Sequence, residues 1–180
     1  MQIFLRNWET TDAPRLYELA KSEKVALLTG FSPHESIEKS GKIIQTILHK
    51  KGHYAIVLKQ TNEIIGNIGI EEISPEKEDE HWKSGELELG FWLGEAYWGQ
   101  GYMKEALEVA LDKVFREHNA KKVWCAYQEE NKQSQKFQEK AGFVYHHTKE
   151  MQWNEALGYF YSLVVNVMTK EIYEEVRSVY

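Results

Sequence analysis

Between Gly85 and Phe115 the hydrophobic period of the chain changes, and this change constrains the fold more than any other stretch. Leu87, Leu89, Phe91 and Leu93 alternate with Glu86, Glu88, Gly90 and Trp92, the period-two pattern of a strand with two chemically different faces. From Met103 onward, Ala106, Leu107, Ala110, Leu111, Val114 and Phe115 follow the three-and-four spacing of an amphipathic helix. The joint between them is Trp98-Gly99-Gln100-Gly101-Tyr102-Met103. Glycines let backbone amides approach a ligand closely, and a helix start leaves N–H groups without partners. Such a joint suits a phosphate or pyrophosphate, and the same glycines also serve a plain tight turn. It is neither a Walker loop, lacking the Lys-Ser/Thr ending, nor a dinucleotide fingerprint, lacking the third glycine.

The remaining chain sets a mixed α/β order around this joint. Gln2 to Asn7 reads as a first strand, and Thr11-Asp12-Ala13-Pro14 starts a helix with Leu16, Leu19 and Ala20 on its apolar stripe. Val25 to Leu28 form a short helical turn closed by Gly30. Ser32-Pro33-His34-Glu35 has the form of a capping box and predicts a helix to about Lys50, with Ile37, Ile44, Ile47 and Leu48 facing inward. His53–Lys59 and Ile64–Ile73 form a hairpin, where Gly66 and Gly69 mark a bulge or a close backbone approach. Ser74 to Ser84 reads as a loop. After the joint come a strand over Lys121–Gln128 and a helix over Asn131–Ala141 ended by Gly142. Strands over Phe143–Trp153 and Tyr159–Met168 and a polar helical tail over Glu171–Tyr180 complete the chain. With no repeat or linker, the 180 residues predict a single domain over 1–180.

Charge and cysteine usage narrow the function. A net charge of −6 argues against a general nucleic-acid binder and favours a cationic substrate. The single cysteine, Cys125, excludes an intrachain disulfide or a Cys-based zinc site and reads as a small core residue of a strand. No apolar run is long enough to span a membrane and the N-terminus lacks signal-peptide form, so a cytoplasmic protein without a membrane partner is expected. The seven histidines show no metal-ligand spacing; His146-His147 would point to opposite sides of a strand, and no metal site is expected.

Three blocks give the chain a resemblance to the GNAT acetyltransferases, in the branch of the RimJ/RimL ribosomal-protein N-acetyltransferases. They are Leu5-Arg6-Asn7-Trp8-Glu9-Thr10-Thr11-Asp12-Ala13; Glu88-Leu89-Gly90-Phe91-Trp92-Leu93 with Tyr97-Trp98-Gly99-Gln100-Gly101-Tyr102-Met103-Lys104-Glu105-Ala106; and Asn131-Lys132-Gln133-Ser134 with Glu139-Lys140-Ala141-Gly142-Phe143. The resemblance implies a mixed, largely antiparallel central sheet flanked by helices and splayed between two central strands, here Glu86–Leu93 and Lys121–Gln128. It implies acetyl-CoA as cosubstrate. The backbone of Phe91, Trp92 and Leu93 would hold the pantetheine arm. Trp98 would open the pyrophosphate loop, and the amides of Gly99, Gln100, Gly101, Tyr102 and Met103 would hold the pyrophosphate. Asn131 and Ser134 would meet the cofactor from the other side. Trp98 and Met103 depart from the superfamily pattern at the two ends of the loop.

Acetyl transfer to an amine requires a polarised thioester, a neutral amine and a protonated leaving thiolate. The superfamily's usual tyrosine acid falls on Gln138, and the branch's serine falls on Ser134, which also reads as a helix residue bonded to backbone or cofactor. A glutamate of relatives falls on Trp153. Glu88 and Glu86 share a face of the central strand, which makes Glu88 the first candidate base, with Glu150 and Glu155 as alternatives. Trp82, Trp92, Trp98 and Trp153 could shape the acceptor pocket or simply pack. The expected activity is N-acetylation of a protein N-terminus or a small amine. The rivals are a non-catalytic acyl-CoA-binding module and a transferase of another acyl group. The final strand and tail would offer a surface for a homodimer.

Overall fold

The computed structural model describes residues 1–178; Val179 and Tyr180 of the expected tail lie outside the described residues. Among the described residues, seven strands hydrogen-bond in the order β1-β2-β3-β4-β5-β7-β6, and helices flank the sheet. The strands are β1 Ile3–Arg6, β2 His53–Leu58, β3 Ile64–Glu72, β4 Leu87–Leu93, β5 Lys122–Gln128, β6 Val144–Asn154 and β7 Tyr159–Thr169. The helices are α1 Ala13–Ala20, α2 Glu23–Thr29, α3 Ile37–Ile43, α4 Tyr102–Asp112, α5 Lys132–Ala141 and α6 Lys170–Ser178. β1–β2, β2–β3, β5–β7 and β6–β7 pair antiparallel, whereas β4–β5 pairs parallel. The parallel register covers only Leu87–Leu89 against Val123–Cys125, although both strands continue beyond it. This is the mixed α/β fold that the sequence predicts. No helix of the described residues is long and apolar enough to cross a membrane.

The chain divides into two compact units. The first comprises Met1–Gly69 with Phe91–Glu108. Its core gathers Trp8, Leu16, Ala20, Ile44 and Val57, all buried. Trp8 is held in orientation as well as buried, because its indole N–H donates to Asn67 Oδ1 at 2.9 Å. Leaving such a buried donor unpaired costs about 1–3 kcal/mol. Asp12 does not cap α1; its carboxylate takes two bonds from Arg6, at 2.7 and 2.9 Å. Glu105 accepts the backbone N–H groups of Gln2 and Ile3, which ties the start of β1 to α4.

Residues 32–35 do not form the expected capping box. Helix α3 starts at Ile37 with Ser36 as its cap, the hydroxyl accepting Lys39 N–H at 3.1 Å. Buried His34 bonds elsewhere: its N–H donates to the Ala20 carbonyl and its Nδ1 lies 2.8 Å from Ser40 Oγ. A wide π-turn over Ile44–Leu48 extends α3 and rotates its face. Ile44 and Leu48 are buried as expected, whereas Ile37 and Ile47 are exposed.

The second unit comprises Ile70–Gly90 with the chain from Val109 onward. Ile73, Trp82, Trp124 and Val165 form a buried cluster in it, and Cys125 is buried as expected. Burial pushes the Cys125 thiol up, away from nucleophilic chemistry. Gly142 closes α5 with a left-handed φ of 95°, and its Cα faces Val176 so closely that an added Cβ would lie 2.8 Å from that side chain.

Candidate functional site

In the first unit the glycine joint is built as a pair of left-handed residues. Gly99 has φ 73° and Gly101 φ 86°, values that L side chains avoid. Nothing lies within 4 Å of the position that a Cβ would take at either residue. Internal packing therefore does not demand glycine there; the backbone conformation does, and the space beside it stays open. The first bond of α4 runs from Glu105 N–H to the Gly101 carbonyl, so the amides of Tyr102 and Met103 precede the helical ladder. Positive-φ residues leading into a helix start aim successive N–H groups at one region, which is an anion cradle.

The side chains of the joint serve the loop itself. Trp98 Nε1 donates to the Leu93 carbonyl at 2.8 Å, and Gln100 Nε2 donates to the Ala96 carbonyl at 2.8 Å. Tyr97 fixes the preceding turn by accepting Arg15 at 2.6 Å. Phe91 and Trp92 are half-buried and Leu93 is buried; the Trp92 ring meets Phe31 edge-on at 5.7 Å. The Trp98 bond takes up one carbonyl of the β4 segment that the resemblance gives to the pantetheine arm.

In the second unit Asn131 caps α5, its side-chain oxygen accepting Ser134 N–H at 3.0 Å. Ser134 lies at the end of a buried polar chain. Asn166 Nδ2 donates to Gln138 Oε1 at 3.0 Å, and Gln138 Nε2 donates to Ser134 Oγ at 3.2 Å. Gln138 is fully buried and Asn166 nearly so. Both Gln138 amide groups are thereby used, and the Ser134 oxygen accepts, which leaves its own O–H for another acceptor. In the sequence Gln138 stands out only as a missing acid, and Asn166 does not stand out at all. The available signal was one amide inside the apolar run of β7, a position that demands a buried partner.

The two carboxylates of β4 have opposite environments. Glu86 accepts Trp124 Nε1 at 2.6 Å and Lys122 Nζ at 3.0 Å. Burial pushes its carboxyl up, but these bonds outweigh it and hold it below its ordinary value. Glu88 stands opposite Trp124 in the register, and among the described residues its ion pair is with Lys77 Nζ at 3.5 Å. Burial there dominates over the attraction of Lys77 and raises the Glu88 carboxyl above its ordinary value. The pair thus divides into a carboxylate held by two bonds and one whose charged form burial disfavours. Glu150, Trp153 and Glu155 are exposed, with the Trp153 ring tilted against Phe160 at 4.9 Å, while Trp82 is buried in the core of its unit.

One expectation is overturned on β6. Its register against β7 slips between Tyr145 and His147, a bulge that brings His146 and His147 together, with their Nδ1 atoms 2.8 Å apart. They do not point to opposite sides of the strand.

The model of the acetyltransferase (GNAT) domain family matches residues 2–144. An uncharacterized N-acetyltransferase, p20, of Bacillus licheniformis is 27% identical over 135 residues, 72% of each chain. Among solved structures, the spermidine N-acetyltransferase of Vibrio cholerae in complex with CoA and spermine superposes with a TM-score of 0.77 at 19% identity, covering 96% of this chain and 98% of that one. RimL, a ribosomal L7/L12 alpha-N-protein acetyltransferase, superposes with a TM-score of 0.74 at 20% identity, covering 94% and 91%.

Proposed function

Because the chain belongs to the acetyltransferase (GNAT) domain family, we propose that it moves the acetyl group of acetyl-CoA directly to a primary amine. The observation that carries this reading is the open pair of left-handed glycines running into a helix start. The residues fit the group: the amides of Gly99, Gln100, Gly101, Tyr102 and Met103 would hold the pyrophosphate, and Phe91, Trp92 and Leu93 would pair with the pantetheine arm, with Trp98 bracing the loop from behind. Asn131 and Ser134 would contact the same cosubstrate. When bound, acetyl-CoA supplies an activated acyl carbon whose C–S bond is exchanged for a C–N bond. The RimJ/RimL-like branch and a protein N-terminus as acceptor fit the three sequence blocks, and a small polyamine fits the acidic balance of the chain equally well.

In this mechanism Glu88 takes the proton of the acceptor ammonium, which frees the nitrogen lone pair. Ser134, its oxygen already occupied by Gln138, would donate its O–H toward the departing thiolate, and the second proton that the acceptor nitrogen loses on becoming an amide would restore the hydroxyl. Glu88 returns its proton to solvent after each turnover. A carboxyl raised toward the working pH is the better base. Glu88→Gln is therefore expected to lower kcat about a hundredfold and to remove the acidic limb of the pH–rate profile. An unchanged profile would take Glu88 out of the base role.

The same substitution is expected to act oppositely on stability. A carboxyl raised in the folded state holds its proton more tightly than in the unfolded chain, so the folded state loses stability as pH rises from the unfolded value through the raised one. Above that window Glu88→Gln removes the buried charge, and its melting temperature at pH 8 is expected to match or exceed that of the wild type.

Ser134→Ala is expected to lower turnover at least about tenfold with acetyl-CoA affinity nearly unchanged, as a lost transition-state hydrogen bond predicts. Equal turnover in a stopped thiol-release assay would remove Ser134 from the reaction. The Gln138 position keeps one rival in view, a non-catalytic acyl-CoA-binding module. Thiol release across a panel of polyamines, amino acids and ribosomal-protein N-terminal peptides separates them: binding without amine-stimulated release favours the module. Propionyl- and succinyl-CoA in the same panel test for another acyl group.

A further inference from the structure

His81 comes from the segment between β3 and β4, some sixty residues before His146 and His147 of β6, yet one ligand atom from each of the three lies within 4.8 Å of the others. We propose that His81, His146 and His147 form a binding site for a divalent transition-metal ion of the zinc class, with water completing the coordination.

Each part of this cluster has a structural cause. The bulge after Tyr145 brings the two neighbouring imidazoles together. His81 is placed by Asp79, whose Oδ1 accepts the backbone N–H of His81 at 2.8 Å and of Trp82 at 2.7 Å. Asp79 is itself held by Lys149, whose ammonium also sits over the Trp82 ring at 3.6 Å. Lys149 is thus already matched by a carboxylate. The His81 and His147 rings lie 4.1 Å apart, and the Trp124 ring meets His146 edge-on at 4.9 Å.

The protein leaves these rings little else to bind. His146 and His147 point Nδ1 at Nδ1, so at most one of them donates, and His147 Nε2 is buried with no hydrogen-bond partner. Glu80 Oε1 lies 3.3 Å from His81 Nε2, which leaves the other ring nitrogen of His81 for a ligand, the carboxylate–histidine arrangement that orients metal-binding imidazoles. Two imidazole nitrogens on one tetrahedral zinc stand about 3.3 Å apart, a spacing that small ring rotations reach from the observed arrangement. Imidazole donors without thiolate or carboxylate select zinc, copper or nickel over magnesium or calcium. A bound ion would staple the segment between β3 and β4 to β6.

The test uses the full chain without a polyhistidine tag, stripped with a chelator and titrated separately with Zn²⁺ by calorimetry and with Cu²⁺ by tryptophan emission. One equivalent of Zn²⁺ is expected, with a raised melting temperature, and Cu²⁺ is expected to quench emission through Trp124. His81→Asn and His146→Asn are expected to weaken Zn²⁺ binding at least about tenfold. His81 is half-buried and His146 exposed, so the variants are expected to fold, which circular dichroism verifies. His118→Asn, at an exposed histidine outside the cluster, is expected to bind as the wild type does. Zn²⁺ affinity unchanged in the His81→Asn/His146→Asn double variant, or no stoichiometric binding by the wild type, would overturn the proposal. Neither readout depends on acetyl transfer.

Discussion

Gly101→Val is expected to abolish acetyl-CoA binding while leaving the chain folded. The reasoning separates backbone from space. At φ 86° a β-branched residue is strained by about 1–2 kcal/mol, so the loop must turn to a negative φ and carry its amides away from their common target. No neighbour lies within 4 Å of the added Cβ, so the fold itself meets no collision. The expected loss of affinity by calorimetry is about a hundredfold or more, equivalent to roughly 2.7 kcal/mol. Gly158 provides the control: its φ is 70°, it too has open space, and it sits in the β6–β7 turn. Gly158→Val carries the same kind of strain and is expected to leave acetyl-CoA affinity intact. Equal affinity in wild type and Gly101→Val would refute the loop assignment.

The second large effect is expected in the fold. Gly66 of β3 lies so close to β4 that a Cβ would stand 2.2 Å from the Trp92 carbonyl oxygen and 2.9 Å from the Leu93 Cα. These obstacles are backbone, which cannot swing aside as a side chain can. Gly66→Ala, the smallest possible addition, is therefore expected to cost about 3 kcal/mol, the upper range for overpacking, or to yield insoluble protein. Urea unfolding measures it; a midpoint equal to the wild type would show that β3 and β4 separate at little cost. Gly41 makes the contrast, since its added Cβ would meet only the Ala13 side chain, at an ordinary 3.6 Å.

The contrast between these glycines shows where sequence reading reaches. The strand, joint and helix around Gly101 were legible because period and turn chemistry are local properties, and every predicted inward residue from Ala106 to Phe115, across α4 and the π-turn Lys113–Glu117 that extends it, is buried. Gly66 was legible as a close approach, but only the structure names Trp92 as what it approaches. The capping box at Ser32 failed because His34 found non-local partners, Ala20 and Ser40, that local pattern cannot show. Ile47 turned outward because a π-turn changes the angular step of a helix, and no residue in Ile44–Leu48 announces it. Of the candidate site, the glycine joint was visible as spacing. The Ser134–Gln138–Asn166 chain was not, because its members belong to α5 and β7 and meet only on folding. The histidine cluster needed both a bulge and a residue distant in sequence.

That amide chain has a direction, and direction can be inverted by a single atom. Both bonds run from β7 toward the helix terminus, each amide giving its hydrogen forward. Asn166→Asp, above the pH at which it ionises, replaces the first donor by an acceptor of the same shape. Gln138 would answer by rotating its amide half a turn, presenting oxygen to Ser134, and the serine hydroxyl would swing its hydrogen inward. The backbone and the packing would be nearly those of the wild type, yet the outward donor would be gone. A buried strand residue would thus set the polarity of a hydroxyl two hydrogen bonds away, and a variant silent in every packing measure is expected to turn over as slowly as Ser134→Ala.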